Sequence, residues 1–227
     1  RNKLQTKVWS YDHNYNEKAT KDDAGIDYPR TILKDEGAAK YVGGVAFHGY
    51  VGTPSGMSVL HREYPNVDIH FTEGSVFGIN GARELIDRLR NHACSYNAWV
   101  TMLDSTGKPN NGPFAASKTV LTLNPATNEV TENFDFDMYG QFMKFIARGA
   151  RRVESSEAEG DTINVAFRNP DGRLFLVVAN TGAKEKSLLI QVGKSGASMQ
   201  MAGASIATLA INYGGASSIK RKPAGTK

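Results

Sequence analysis

The first half of the chain alternates between short apolar runs and amphipathic stretches, which predicts alternating strands and helices. Apolar runs at residues 7–11, 42–47, 67–73 and 98–103 predict four strands. Residues between them, such as Met57, Leu60 and Tyr64, recur at the spacing of a helix face. Four strand-then-helix units within the first 113 residues predict a parallel sheet with right-handed crossovers, either open or part of a barrel.

The pattern changes after Asn-Asn-Gly-Pro at residues 110–113, a cluster that breaks helices and strands. One more amphipathic helix is predicted around residues 136–146, and short strands follow it. Asn-Pro-Asp-Gly at residues 169–172 predicts a hairpin turn between two of those strands. We therefore expect an α/β domain over 1–113, a linker helix with an antiparallel β-sandwich over 114–213, and a disordered basic tail over 214–227.

Composition argues against nucleic-acid binding, disulfide bonds, cysteine-based metal sites and membrane spans. The net charge is +4, and Lys220, Arg221, Lys222 and Lys227 of the tail account for all of it, so no basic face for nucleic acid is expected. Cys94 is the only cysteine, which leaves no internal disulfide and no expectation of a cysteine-based metal site. We expect Cys94 near a helix end, as a small core residue. No apolar run reaches 18 residues, so no transmembrane segment is predicted.

Polar side chains follow the ends of the predicted strands. Glu73 ends one strand, and Gly74 behind it lets the chain turn; His48 and Tyr50 follow the preceding strand. Barrel enzymes place catalytic groups at the carboxyl ends of parallel strands, so Glu73 is a candidate catalytic carboxylate. A glutamate there can also cap the next helix or pair with an arginine.

Two further residues are candidates for binding. Asp12 follows the first strand and could line the same site, although aspartates also begin turns. Trp99 belongs to the fourth predicted strand and could contact a ligand at the same end of the sheet, although tryptophan is often a core residue. A serine hydrolase is not indicated, because no serine lies in a Gly-x-Ser-x-Gly frame. The histidines lack the i, i+4 spacing of a helical zinc motif.

Four segments together resemble glycoside hydrolase family 30, which includes glucosylceramidases. They are Ala-Ala-Lys-Tyr-Val-Gly-Gly-Val-Ala-Phe-His-Gly-Tyr at 38–50, Phe-Thr-Glu-Gly at 71–74, the run 99–104 with Gly112-Pro113 behind it, and Phe-Met-Lys-Phe-Ile-Ala-Arg-Gly-Ala-Arg-Arg at 142–152. The family fold is a (β/α)₈ barrel with an associated β-sandwich. The resemblance implies that this chain is the second half of such a barrel, strands five to eight, followed by the sandwich.

The resemblance also implies a function, that of a retaining β-glycosidase acting on a glycoside. Glu73 matches the family's nucleophile, and Asp12, His48, Tyr50 and Trp99 would bind the sugar. The family's acid/base glutamate lies in Asn-Glu-Pro after strand four, and no Asn-Glu-Pro occurs here. We therefore expect it in an N-terminal barrel half that this sequence lacks, on the same chain or a separate one. The resemblance implies neither a cofactor nor a metal. It does imply a secreted or periplasmic location.

Two points stay open at the level of sequence. The chain could instead be a non-catalytic carbohydrate-binding or structural remnant of such an enzyme. It also departs from the glucosylceramidases at Gly49, where they carry a tryptophan between the histidine and the tyrosine. We interpret that glycine as the loss of an aromatic wall of the substrate site.

Overall fold

A computed structural model describes residues 6–16, 18, 25–74, 76–110, 118–157 and 159–212. The first half forms a four-stranded parallel sheet in the order β1-β2-β3-β4, with helices on the connections, as predicted. The strands are β1 (Val8–Tyr15), β2 (Val42–Gly52), β3 (Ile69–Glu73) and β4 (Ala93–Tyr96). The helices are α1 (Asp27–Lys34), α2 (Glu36–Ala39), α3 (Ser55–Glu63) and α4 (Gly78–Arg90).

The fourth parallel strand is not the one predicted at 98–103. Helix α4 ends at Arg90, and His92 turns the chain with a φ of 74°. Strand β4 therefore begins at Ala93 and pairs with β3. Its sequence, Ala-Cys-Ser-Tyr, is too short and too mixed in polarity to give a strand pattern. The expectation for Cys94 was also wrong, because this residue lies in β4 and is exposed.

The apolar run that suggested the fourth strand belongs partly to another sheet. Residues Met102–Asp104 form β5, which pairs with β6 (Leu121–Leu123), and β6 pairs with β7 (Val130–Glu132). The breaker cluster that follows β5 lies mostly outside the described residues. The fold thus leaves the parallel sheet at Tyr96, earlier than the sequence pattern indicated.

Alternation along the parallel strands gives the sheet two different faces. Val45 and Phe47 of β2 and Ile69 and Phe71 of β3 point towards the helices. There they pack against the buried side chain of Met57 from α3 and its neighbours. The other face carries more polar side chains. Burial of the first face therefore fixes which residues can form a site on the second.

The second half is antiparallel, as predicted. Its main sheet has the order β13-β10-β9-β8, and β11 pairs with β12 in a separate hairpin. The elements are α5 (Phe134–Met143), β8 (Arg151–Val153), β9 (Thr162–Arg168), β10 (Leu174–Asn180), β11 (Lys186–Val192), β12 (Ser195–Met201) and β13 (Ser205–Ile211). The predicted hairpin turn joins β9 to β10, with Gly172 at a φ of 88°. The expected basic tail lies outside the described residues.

Helices α4 and α5 join the two halves through one apolar cluster. Leu85 and Ile86 of α4 contact Met138 of α5 together with Val165 of β9 and Val177 of β10, all buried. A shared core of this kind fixes the position of α4 and hence of the sheet edge beside it. No helix in the described part of the chain is long and apolar enough to cross a bilayer.

A pair of histidines beside this sheet predicts acid sensitivity. The rings of His61 and His92 stack with centroids 3.9 Å apart. Burial, followed by repulsion from His61 and from Arg152 and Arg62, lowers the pKa of His92 to about 4. The unfolded chain therefore binds this proton more tightly, and the free energy of unfolding should fall as pH drops from 6.5 towards 4.

Replacing this histidine isolates the effect. Asparagine tolerates a positive φ, so His92→Asn should fold normally. We expect its free energy of unfolding, measured in urea at a series of pH values, to depend less on pH over that window. A variant with the same slope as the parent chain would contradict this assignment.

Candidate active site

The carboxylate of Glu73 lies at the carboxyl end of β3, where the sequence placed it. The Tyr50 hydroxyl donates a hydrogen bond of 3.0 Å to its Oε1. Nε2 of His48 lies 4.0 Å from Oε2. His48 pairs with Glu73 in the sheet register, so β2 delivers both neighbours to this strand end. The side chain of Glu73 is 31% exposed and is therefore open to a ligand.

Asp12 joins the same group through His48. Its Oδ1 lies 3.1 Å from Nε2 of His48 and accepts a hydrogen bond of 2.7 Å from the Thr72 hydroxyl. The Thr72 hydrogen bond, helped by His48 and opposed by desolvation, lowers the pKa of the Asp12 carboxyl. Asp12 is therefore an ionised acceptor that orients His48 beside Glu73, rather than a proton donor.

Thr72 was missed at the level of sequence. It precedes Glu73 and also donates to the carbonyl oxygen of Phe47, at 3.3 Å. Strand alternation would have found it, because Thr72 shares a strand face with His70, on the side away from the helices. Asn14 follows Asp12 at the same strand end and has a structural role that the sequence did not indicate. Its side-chain oxygen accepts from the backbone N–H groups of Tyr50 and Val51, both at 3.1 Å, which fixes the segment carrying Tyr50.

Tyr50 is held as a hydrogen-bond donor. Burial, together with the hydrogen bond and charge of Glu73, raises the pKa of its phenol to about 12. The phenol therefore stays protonated at neutral pH and can donate to a carboxylate throughout the physiological range. This pair places a fixed hydrogen-bond donor on one oxygen of the Glu73 carboxylate.

Trp99 lies beside this group through its backbone. Its N–H donates to the carbonyl oxygen of Gly74, at 3.2 Å. The residue is 43% exposed, so it is not a core tryptophan. An exposed indole next to the turn after Glu73 is available to a ligand at this end of the sheet.

Gly49 does not face the candidate site, contrary to the interpretation from sequence. A Cβ at this position would lie 2.5 Å from Nη2 of Arg88 and 3.0 Å from Cζ of Phe71. Both groups lie on the helix side of the sheet, where the guanidinium of Arg88 sits 4.3 Å from the centre of the Phe71 ring. The glycine therefore makes room for this packing and does not remove a wall of the site.

An open pocket brings Asp12, His48, Thr72 and Glu73 together on the face of the sheet away from the helices, whereas Tyr50 and Trp99 are not among its lining residues. It is lined by Lys7, Trp9, Asp12, Ala46, His48, Thr72, Glu73 and Asn97. Two carboxylates, one lysine and an indole make a polar pocket with an aromatic surface, which suits a sugar. In chemical terms, Glu73 can act as a nucleophile or base, whereas the lowered pKa of Asp12 leaves the described pocket without a carboxyl poised to give up a proton.

Comparison with known families matches most of the chain. The family model described as the glycosyl hydrolase family 30 TIM-barrel domain matches residues 20–146. The model described as the glycosyl hydrolase family 30 beta sandwich domain matches residues 149–209. The parallel sheet with its helices is therefore part of a TIM barrel, and a β-sandwich domain follows it.

Individual relatives agree with that assignment. The chain is 28% identical to the lysosomal acid glucosylceramidase of Mus musculus over 192 residues, which are 74% of this chain and 37% of the relative. Among solved structures, the SrfJ protein from Salmonella typhimurium superposes with a TM-score of 0.80 at 23% identity, covering 91% of this chain and 47% of that one. An endo-β1,6-glucanase gives a TM-score of 0.78 at 24% identity, covering 90% and 48%. The chain thus spans between a third and half of the length of these relatives.

Proposed function

We propose, since this chain belongs to glycoside hydrolase family 30, that it carries the nucleophile half of the active site of a retaining β-glycosidase. The observation that supports the proposal is the setting of Glu73. Its carboxylate ends a parallel barrel strand in an open pocket, with the Tyr50 hydroxyl on one oxygen and His48 near the other. This is the placement that barrel enzymes use for catalytic groups.

The proposed chemistry is a double displacement. The ionised carboxylate of Glu73 attacks the anomeric carbon, the bond from that carbon to the leaving oxygen breaks, and an acid elsewhere protonates that oxygen. Water, deprotonated by the same group acting as base, then attacks the glycosyl ester and releases the sugar and free Glu73. Tyr50 would hold the carboxylate in the attacking orientation, and Asp12 would hold His48.

The acid/base group is proposed to come from outside this sequence. Retaining enzymes need a second carboxyl about 5 Å from the nucleophile, protonated at the start of the reaction. Asp12 does not suit that task, because its hydrogen bonds to Thr72 and His48 lower its pKa. A glutamate in Asn-Glu-Pro on an N-terminal barrel half, on the same chain or a separate one, would complete the site.

The same proposal assigns the parts of the chain. Residues 1–113 would hold barrel strands five to eight, and 114–213 the linker helix and β-sandwich. The substrate would be a β-linked glycoside, since the mouse relative is named as a glucosylceramidase and one solved neighbour as an endo-β1,6-glucanase. Asp12, His48, Tyr50 and Trp99 would form its sugar subsite, with Trp99 offering the apolar surface.

The stereochemistry of the first product tests this mechanism. In the complete protein that contains this chain, proton NMR of a fresh reaction with an aryl β-glycoside should show the β-anomer of the sugar before mutarotation. An α-anomer formed first would exclude a glycosyl ester on Glu73. A complete protein that binds glycosides and hydrolyses none would favour the non-catalytic alternative.

Removal of the Tyr50 hydroxyl should impair this reaction without harming the fold. A hydrogen bond to a charged group contributes about 1.5–3 kcal/mol, so Tyr50→Phe should lower kcat/KM by about 10- to 100-fold. Tyr41→Phe is the matched control, because Tyr41 is 69% exposed. If Tyr50→Phe had the same kinetics as Tyr41→Phe, the hydroxyl would have no role in catalysis.

A further inference from the structure

A second cluster of reactive side chains lies at the opposite end of the parallel sheet from Glu73. Asp68 immediately precedes β3, His70 is its second residue, and Cys94 is the second residue of β4. One ligand atom from each of the three lies within 4.8 Å of the other two. Asp68 lies five positions before Glu73 along the extended chain, about 16 Å, so the cluster does not include the candidate nucleophile. Trp9, which stacks on His70, also lines the pocket of Glu73, so the two sites are neighbours.

An irregularity in the pairing of β3 with β4 creates this cluster. Ile69 pairs with Ala93, but His70 pairs with Ser95, so Cys94 is an extra residue in β4. Such a bulge changes the direction in which a side chain points. It brings the Cys94 thiol to 3.6 Å from Nδ1 of His70.

The imidazole is held in place before any ligand arrives. His70 is only 7% exposed, and its ring stacks on that of Trp9 with centroids 3.8 Å apart. Gly44, on the strand between them, leaves room for this ring, since a Cβ there would lie 2.6 Å from Cδ2 of His70. The Ser95 hydroxyl lies 2.8 Å from Nδ1 and is the group that a cation would replace as its partner. Asp68 and Cys94 are exposed, which leaves the cluster open to solvent.

The spacing of these atoms fits a tetrahedral cation. Zinc binds thiolate at about 2.3 Å and imidazole nitrogen at about 2.0 Å, which at a tetrahedral angle puts the two ligand atoms about 3.6 Å apart. The separation between Cys94 and His70 is 3.6 Å. The carboxylate of Asp68, within 4.8 Å of both, reaches a similar distance through a small rotation of an exposed side chain.

We propose that Asp68, His70 and Cys94 bind a zinc-class divalent cation, with water in the fourth position. Thiolate, imidazole and carboxylate together favour zinc over magnesium or calcium, which prefer oxygen ligands alone. The thiolate and carboxylate would balance the two positive charges of the ion. Bound there, the ion links β3 to β4 and stabilises their pairing. The sequence contains a single cysteine, so no cysteine-based metal site was expected. The other two ligands, Asp68 and His70, come from the neighbouring strand and could not be paired with Cys94 from sequence alone.

Cobalt provides a direct probe of the ligand set. The 227-residue chain, stripped of metal with a chelator, should bind one Co²⁺ per chain and develop both a thiolate-to-cobalt charge-transfer band and the visible bands of a tetrahedral site. Zinc should displace the cobalt and raise Tm. The ring of Trp9 stacks on His70, so tryptophan fluorescence should change in the same titration.

Variants separate this site from adventitious binding. Cys94→Ser and Asp68→Asn should each weaken Co²⁺ binding by about 100-fold or more, because loss of even an outer-shell partner typically costs about 10- to 100-fold. Both side chains are exposed, so each variant should keep the metal-free Tm of the parent chain. His61→Gln is the control, because His61 belongs to the stacked histidine pair with His92 and should leave binding unchanged. Binding without a thiolate band, binding retained in Cys94→Ser, or binding lost in His61→Gln would each overturn the proposal.

Discussion

Glu73→Gln should lower kcat of the complete protein by about 10⁴-fold or more, on the scale seen when a nucleophile is removed. The amide has nearly the shape of the carboxylate and can still accept a hydrogen bond from Tyr50, so fold and sugar binding should persist. It cannot form a glycosyl ester, because a neutral amide oxygen is a poor nucleophile. Steady-state kinetics on an aryl β-glycoside, with KM or direct binding measured in parallel, would give the result.

Glu132→Gln is the matched control for that substitution. Glu132 lies in β7 with an exposed side chain, so the same chemical change there should leave turnover unchanged. A Glu73→Gln protein that retains turnover within tenfold of the Glu132→Gln control would remove Glu73 from the mechanism. Loss of sugar binding together with loss of fold would show instead that Glu73 is needed for structure.

Gly49→Trp should destabilise the protein strongly, by about 3 kcal/mol or more. The new side chain would enter the space between the guanidinium of Arg88 and the ring of Phe71, where even a Cβ is too close. Phe71 is fully buried and Arg88 is nearly so, and neither can move without disturbing the contact of α4 with the sheet. Urea unfolding of the two proteins would measure the difference in the free energy of unfolding.

Gly140→Trp supplies the comparison at an open position. A Cβ at Gly140, in α5, meets no atom within 4 Å, so we expect a change of less than about 1 kcal/mol. Gly49→Trp with stability equal to that of Gly140→Trp, and with an altered preference among sugars, would mean that residue 49 faces the substrate after all.

The positions of His48 and Glu73 at strand ends could be predicted because each follows an apolar run that is adjacent in sequence. The apolar runs before His48 and before Glu73 are long enough to define strands, and both side chains lie where those runs end. Parallel pairing then brings the tips together, as the register of His48 with Glu73 confirms. The carboxyl ends of parallel strands meet at one end of the sheet, and the positions of the polar side chains around Glu73 followed from this. Their roles remain predictions.

Other features depend on contacts that no local pattern contains. Strand β4 lacks an apolar run, and its pairing follows from the turn at His92. A side chain at position 49 would point towards Phe71 and Arg88, which lie far along the chain. The residues next to Gly49 in sequence therefore did not indicate which side of the sheet it faces. Cys94 meets His70 only because the β3–β4 register shifts between residues 69 and 70. These three properties arise from tertiary packing, which overrides sequence pattern.

Identification of the carboxylate that bonds to the sugar is the most direct test of the account. The complete protein would be treated with a 2-deoxy-2-fluoro β-glycoside that has a good leaving group, because the fluorine slows hydrolysis of a glycosyl ester once it has formed. Peptide mass spectrometry should then find the fluorosugar on the peptide containing Phe71, Thr72 and Glu73, with fragmentation placing it on Glu73. A label on Asp12 or Asp104 instead, with Glu73→Gln still active, would contradict the assignment.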